Sequence, residues 1–359
     1  MATSELSQHS VAATSADSEL RDDLRWLGPI WGVVGVFAAI TVIQAFRVGI
    51  PLRDPRGDIL LDRVAISLGL LIVYGVVDAL VRTRRMKLPL RRTWAVAHAR
   101  WTPRRVVLAL GALAAYHITY FCYHNLKSWD VYNRPRDSML LDWDRWLFLG
   151  HSPAVLIHDL LGQHLAAWVL AYWYETFGTI VLLAIVAPVV FVDRIRDGYV
   201  AMAAGVWIWI LGTASYYLIP SLGPFDSAPQ EFAGLPHMMI QDTQARYMGQ
   251  RAHLLADPRA HDAFAQVSAF ASLHVGVTTV IWLMARYYGY RRLAMALGVF
   301  LVGTIVATVY LGWHFFVDDV AGIAIAYLAC WLGRRMVYPH GPPTTGSPHV
   351  QADTATSAQ

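Results

Sequence analysis

The chain is poor in cysteine, in lysine and in charge. Cys122 and Cys330 are the only cysteines, each inside an apolar stretch, which leaves no disulfide framework and no paired Cys-x-x-Cys metal spacing. Charged residues make up 15% of the 359, below the roughly one quarter of an ordinary soluble domain. Lysine occurs only at Lys87 and Lys127, and arginine carries the remaining basic charge, a bias that points to a GC-rich bacterial genome. The net charge of +4 does not signal nucleic acid, because the basic residues gather at the ends of apolar runs, where orientation in a membrane accounts for them. No repeat of fixed period is visible. The charged residues 18–25 lead into a full-length apolar run, unlike the short one of a cleavable signal peptide.

Apolar sequence is what the chain has in abundance: 56% of residues are hydrophobic and the mean hydropathy is +0.40. Runs near 27–46, 64–81, 105–123, 168–191, 199–219, 267–286, 293–312 and 317–336 approach or exceed the roughly 20 residues a helix needs to cross the hydrocarbon core. Lipid cannot satisfy backbone polar groups, and these runs are too long for barrel strands. The pattern therefore predicts an all-α polytopic membrane protein with about eight transmembrane helices. A shorter amphipathic piece, 153–162, predicts an interfacial helix. Residues 1–25 and 337–359 are polar and aperiodic and read as disordered cytoplasmic termini. Between them, 26–104 holds two accessory spans and a basic loop, and 105–336 a six-helix catalytic core.

Orientation follows from arginine and lysine. The segment 82–105 carries nine of them, including Arg84, Arg85, Lys87, Arg91 and Arg92. Placing it in the cytoplasm puts 18 inside and 11 outside, in line with the positive-inside tendency. Both termini are then cytoplasmic, and the connections 124–167, 220–266 and 313–316 lie outside.

Three sets of polar residues fall at that outer face. His314 and Asp318 stand four apart where the last two spans meet, so the carboxylate reaches the imidazole on one helix face and fixes its tautomer, as a nucleophile or base requires. Ser272 and His274 open the sixth span; a serine near a helix N-terminus, with free backbone N–H groups, can hold a phosphate oxygen. Lys127 and Arg134 follow the third span, and two fixed cations there would neutralise a transferring phosphoryl group. Taken singly, each set also has a structural explanation: satisfied buried histidines, or basic side chains reaching toward lipid headgroups. Their convergence on one face favours function.

Together these strings resemble the three signatures of the phosphatidic acid phosphatase type 2 superfamily: K-x6-R-P at 127–135, S-x-H at 272–274 and H-x-x-x-D at 314–318. Ser272-Leu-His274-Val-Gly276 and the string from Tyr310 to Gly322 look most like the inositol phosphorylceramide synthase branch. The resemblance covers roughly 105–336. It implies a phosphohistidine mechanism without a metal or other cofactor: His314 attacks phosphorus, Asp318 orients it, His274 protonates the leaving alkoxide, and Ser272, Lys127 and Arg134 hold phosphoryl oxygens. Ser215–Phe225 resembles a proline-rich turn of the same branch, in which Tyr216, Pro220, Gly223 and Pro224 either contact an acceptor or shape the outer mouth. Two departures stand out. Ala271 and Leu273 replace the usual Pro and Gly of P-S-G-H, and Thr308 stands where the third signature has an arginine.

The expected activity is transfer of a phosphoryl-linked headgroup from a membrane lipid to a polyol or sugar-alcohol acceptor, in a bacterial inner membrane with the site outside the cytoplasm. Water as acceptor would make the same protein a lipid phosphate or polyprenyl diphosphate phosphatase. A serine protease built on Ser272 lacks a Gly-x-Ser-x-Gly environment, and a non-enzymatic transporter would use the buried charges as an ion path.

Overall fold

The computed structural model describes residues 24–84 and 89–341. Arg85, Lys87 and most of both terminal segments lie outside the described residues, so the reading of those segments as disordered is not addressed. Thirteen α-helices and three short 3-10 turns make up the fold, with no strand among the described residues. In chain order the helices are α1 Leu27–Val48, α2 Leu61–Thr83, α3 Pro89–Arg100, α4 Pro103–Trp129, α5 Asp137–Leu147, α6 Pro153–Leu161, α7 Leu165–Phe191, α8 Ile195–Leu218, α9 Pro224–Ser227, α10 Met239–Ala256, α11 Leu273–Tyr287, α12 Arg291–Tyr310 and α13 Phe316–Val337.

Seven of the long helices are apolar enough to cross a membrane: α1, α2, α4, α7, α8, α12 and α13. The protein is a polytopic membrane protein. The sixth apolar run differs from expectation. Residues 267–272 are extended, and α11 begins only at Leu273 and has 15 residues. Serines on a neighbouring segment account for the extended stretch. Ser215 Oγ accepts from the Ala271 N–H and Ser221 Oγ from the Phe270 N–H, at 2.9 and 2.8 Å, while Ala269 N–H donates to the Ser221 carbonyl. These partners replace the helical hydrogen bonds that an apolar segment would otherwise need. The interfacial piece forms α6, with Ser152 as its N-cap and proline at its start. At the ends of the described chain, Trp26 and Tyr338 are buried.

Helix α8 lies at the centre, packed on α4, α7, α11 and α13, while α11 also packs on α12 and α13. The two accessory helices lean on this core, α1 on α4 and α2 on α7. Small residues bring helices close, as is usual where lipid offers no hydrophobic drive between them. The sharpest case is the crossing of α11 and α13. Gly322 lies against the Ser272 carbonyl so closely that a methyl group would overlap it, and Gly276 faces the Gly322 carbonyl.

At the end of the bundle away from residues 272–274 and 314, arginines close the helix ends. Arg105 is 2% exposed and donates to the Val192 and Asp193 carbonyls at 2.7 and 2.8 Å. Arg100 donates to the Val190 carbonyl and pairs with Asp78 at 2.7 Å. Arg82 bridges Asp78 and Asp193, and Arg196 donates to the Val337 carbonyl. These bonds satisfy carbonyls that a helix C-terminus leaves open.

Candidate active site

A cavity of about 520 Å³ opens at the other end of the bundle, among α2, α4, α7, α8, α10, α11 and the α12–α13 link. Lys127, Tyr216, His274 and His314 all line it. The two histidines meet directly: His274 Nδ1 lies 3.4 Å from His314 Nε2. The glycine crossing of α11 and α13 makes this contact, since it draws the start of α11 onto the start of α13. The His274 ring is held between Tyr174 and Phe177 on α7, each 4.5 Å away between ring centres.

On its other side, His314 Nδ1 faces Asp318 Oδ2 at 3.4 Å. Asp318 is fully buried and also accepts from the Phe315 N–H at 3.0 Å. A proton on Nδ1 leaves the Nε2 lone pair pointing toward His274 and the cavity. Burial lowers the His314 pKa to about 4, with the Lys127 charge acting in the same direction and Asp319 opposing. The ring is therefore neutral, and nucleophilic, at physiological pH.

Lys127 enters from α4 between the rings of Tyr123 and Tyr216, with Nζ 5.9 and 5.7 Å from their centres. Among the described residues no carboxylate lies within ion-pair distance of it. Tyr216 is 2% exposed and stands 3.5 Å from Tyr123 through their hydroxyls.

Ser272 and Arg134 lie outside the cavity lining. Ser272 is fully buried and outside the cavity lining. Its Oγ caps α11 by accepting from the Val275 N–H and is hydrogen-bonded to Asp319, while its own N–H donates to the Asp318 carbonyl. It ties α11 to α13 and so positions both histidines. Arg134 is exposed and likewise outside the lining, because the 3-10 turn Asp130–Tyr132 ends α4 and an extended proline-containing segment leads the chain away. Pro220 and Gly223 belong to a turn: the Pro220 carbonyl accepts from the Arg136 N–H at 2.7 Å, and Asp137 Oδ1 accepts from the Leu222 and Gly223 N–H groups. Gly223 has φ +113°, and a Cβ there would come within 2.6 Å of the Trp313 carbonyl oxygen, so no other residue fits easily. Pro224 starts α9. Of this stretch Tyr216 and Leu222 line the cavity.

Several contributors escaped the sequence reading. Asp144 on α5 accepts from the Phe316 and Val317 N–H groups at 2.8 and 3.0 Å, capping α13 just after His314. Asp137, two turns earlier on the same face of α5, clamps the Gly223 turn, so α5 braces both walls of the mouth. Thr308, in the place of the signature arginine, donates to Asp319 at 2.9 Å and brings no cation. His124 lines the cavity one turn before Lys127; the i, i+3 spacing was the available signal. Arg56, Arg63 and Arg246 line it as well. Among the described residues no group of three or more His, Cys, Asp or Glu side chains is arranged to hold a metal ion.

An ammonium with no ion-pair partner within 4 Å among the described residues, beside a neutral, buried imidazole, suits an anionic ester better than a neutral one, Asp130 acting on it only from farther away. This is the class of membrane-embedded phosphoester enzyme, and the comparison with known families agrees. A model of the PAP2 superfamily matches residues 138–332, more than half of the chain, and the chain belongs to that superfamily of phosphatases and phosphotransferases. Lys127 lies before the matched region. Neither a curated protein nor a solved structure matches the chain.

Proposed function

We propose that the protein is a lipid phosphotransferase working through a phosphohistidine on His314. His314 Nε2 forms a bond to phosphorus as the bond to the lipid alkoxide breaks, and His274 supplies the proton that the alkoxide takes up. Lys127 holds phosphoryl oxygens. An acceptor hydroxyl, of a polyol such as inositol, then gives its proton back to His274 as its oxygen displaces Nε2 from phosphorus. Because the two rings touch at 3.4 Å, the incoming phosphoryl group must part them.

The observation that carries a lipid substrate is the change of wall along α7 and α11. Tyr174, Glu175 and Gly178 on α7, and His274 on α11, line the polar cavity. Further along the same two helices Val181, Ile185, Val277, Val280 and Met284 line a second cavity of about 1040 Å³. Trp209 borders both. An amphipathic ester with its phosphorus at His314 and its chains along these walls fits that succession. The site lies at the end opposite the arginines of the α2–α3, α7–α8, α11–α12 and α13 termini, which by the positive-inside tendency supports an extracytoplasmic site, in a bacterial inner membrane.

The test is headgroup release from a radiolabelled phospholipid with and without inositol. Acceptor-dependent formation of a new phosphodiester supports transfer. Release of the phosphorylated headgroup to water, or of free phosphate from a lipid phosphate monoester, indifferent to acceptor, would assign the protein as a hydrolase instead. A phosphoenzyme stable to alkali and labile to acid, absent from His314→Ala, identifies the intermediate.

A further inference from the structure

We infer that the cavity contains a second anion subsite, formed by Arg63 with Arg56 and Arg246 beside it, which reads a further phosphate-class group on one of the two reaction partners. The inference rests on the reading above of the site as one that handles a phosphoester.

Arg63 comes from the accessory helix α2 and Arg56 from the loop before it, both outside the segment that matches the family. Arg63 is half-buried, and its guanidinium lies over the Tyr120 ring at 4.6 Å. Among the described residues no hydrogen-bond acceptor or carboxylate partners it. Arg63 reaches the cavity from α2 and stands over Tyr120, whereas Lys127 reaches it from α4 and stands by Tyr123 and Tyr216. The two cations thus meet the cavity at different rings, and Arg63 is placed to hold a further anion beside the one at Lys127. His124 lies between Tyr120 and Lys127 on α4, within the field of each charge; both its ring nitrogens are buried with no hydrogen-bond partner, and it lines the cavity.

The other two arginines are only partly neutralised. Arg56 faces Asp58 at 3.5 Å in an exposed pair, and Arg246 on α10, near Glu175, donates to Thr243 at 3.4 Å and to the Tyr247 hydroxyl. Four cations and two carboxylates line the cavity, and even with Asp130, which acts on Lys127 from outside the lining, positive charge is in excess. Bare cations at this depth are costly unless a ligand supplies the anions. A planar guanidinium stacked on tyrosine keeps its N–H fork free for phosphate oxygens. Thr308 brings no cation where the family signature has one, so the arginines from α2 and α10 provide positive charge that the signature itself does not. The second anion belongs either to the donor, as the distal phosphate of a lipid diphosphate, or to the acceptor, as a phosphate on the polyol.

The purified full-length chain is titrated with inorganic phosphate and inorganic diphosphate, following the fluorescence of Trp209 and Trp313 in the cavity walls. Diphosphate is expected to bind at least about tenfold more tightly than phosphate, the weight of one charge-assisted hydrogen-bonded contact. Arg63→Gln is expected to bring that ratio to within roughly threefold of unity, and Arg63→Lys to restore part of it. Arg246→Gln, at an exposed position, reports independently should Arg63→Gln fold poorly, and should also lower the ratio. Turnover then assigns the source. A lipid diphosphate preferred over the monophosphate, with the preference lost in Arg63→Gln, places the second anion on the donor. A lower KM for a phosphorylated than for a plain polyol, again lost in Arg63→Gln, places it on the acceptor. Equal binding of phosphate and diphosphate by the wild type, or a ratio unchanged in both variants, overturns the subsite. His314→Ala should keep the diphosphate preference while losing turnover, so turnover surviving in that variant would count against the phosphohistidine and leave the subsite standing.

Discussion

The two ends of the helix bundle treat their basic residues in opposite ways. At the end away from the site Arg82, Arg100, Arg105 and Arg196 each find a carboxylate or a helix-terminal carbonyl. At the site end Lys127 and Arg63 lie against aromatic rings and, among the described residues, have no hydrogen-bond or ion-pair partner. The first arrangement stabilises a fold and the second awaits a ligand. Basic residues in a membrane protein are thus sorted into structural and functional by what they touch, and composition does not distinguish them.

The strongest way to break this contrast is at the reacting end. His314→Ala should lower lipid turnover by about 10⁴-fold or more while leaving thermal stability near wild type. A variant that is inactive only because it is unfolded would show in the melting curve. Lys127→Met should cost about 10²- to 10³-fold in kcat/KM. It should also move the acidic limb of the pH profile upward: His314 sits near 4 partly because of the Lys127 charge, and removing a nearby cation raises an imidazole pKa. A limb that stays in place would separate Lys127 from His314 electrostatically.

Arg105→Met should show the converse signature. It strips donors from the buried Val192 carbonyl and the part-buried Asp193 carbonyl and is expected to lower stability by about 3 kcal/mol, with the kcat/KM of the folded fraction little changed. Loss of activity at full stability would erase the distinction between the ends. Gly322→Ala forces α13 off the Ser272 carbonyl and should cost about 2 kcal/mol together with part of the activity, because the histidine contact spans that crossing. The smallest effect concerns Asp144. Burial raises its carboxyl to about 6 from the ordinary 3.8, the Phe316 and Val317 N–H groups pulling the other way. The folded state holds that proton more tightly than the unfolded one, so this group's contribution is present at acid pH and lost as pH rises through 6. Asp144→Asn should flatten that component of the melting temperature measured between pH 4.5 and 7.

The sequence disclosed most of the long helices, because hydropathy alone governs them, and it put His274, His314, Asp318 and Lys127 on one face once the spans alternate, where the structure also gathers them. It misread 267–272, where an apolar run is extended only because Ser215 and Ser221, some 50 residues away, take its backbone N–H groups. Ser272 is a cap, and Arg134 points outward, since a motif position says nothing of where a loop turns after Asp130. Arg63 gave no signal at all. Its place depends on how an accessory hairpin packs on α4 and α7, and residues so distant in the chain are joined only by the fold.

The glycine crossing of α11 and α13 separates what can drift from what cannot. His274 and His314 meet because two backbones touch, so the reactive pair is fixed by the scaffold, while the walls that face a substrate are side chains carried by α2, α7 and α10. New substrates are open to such a chain through changes at Arg63, Glu175 or Arg246, one wall at a time, with the reactive pair left as it is. A lineage of related enzymes would then be expected to hold the crossing constant and to diverge along the cavity rim.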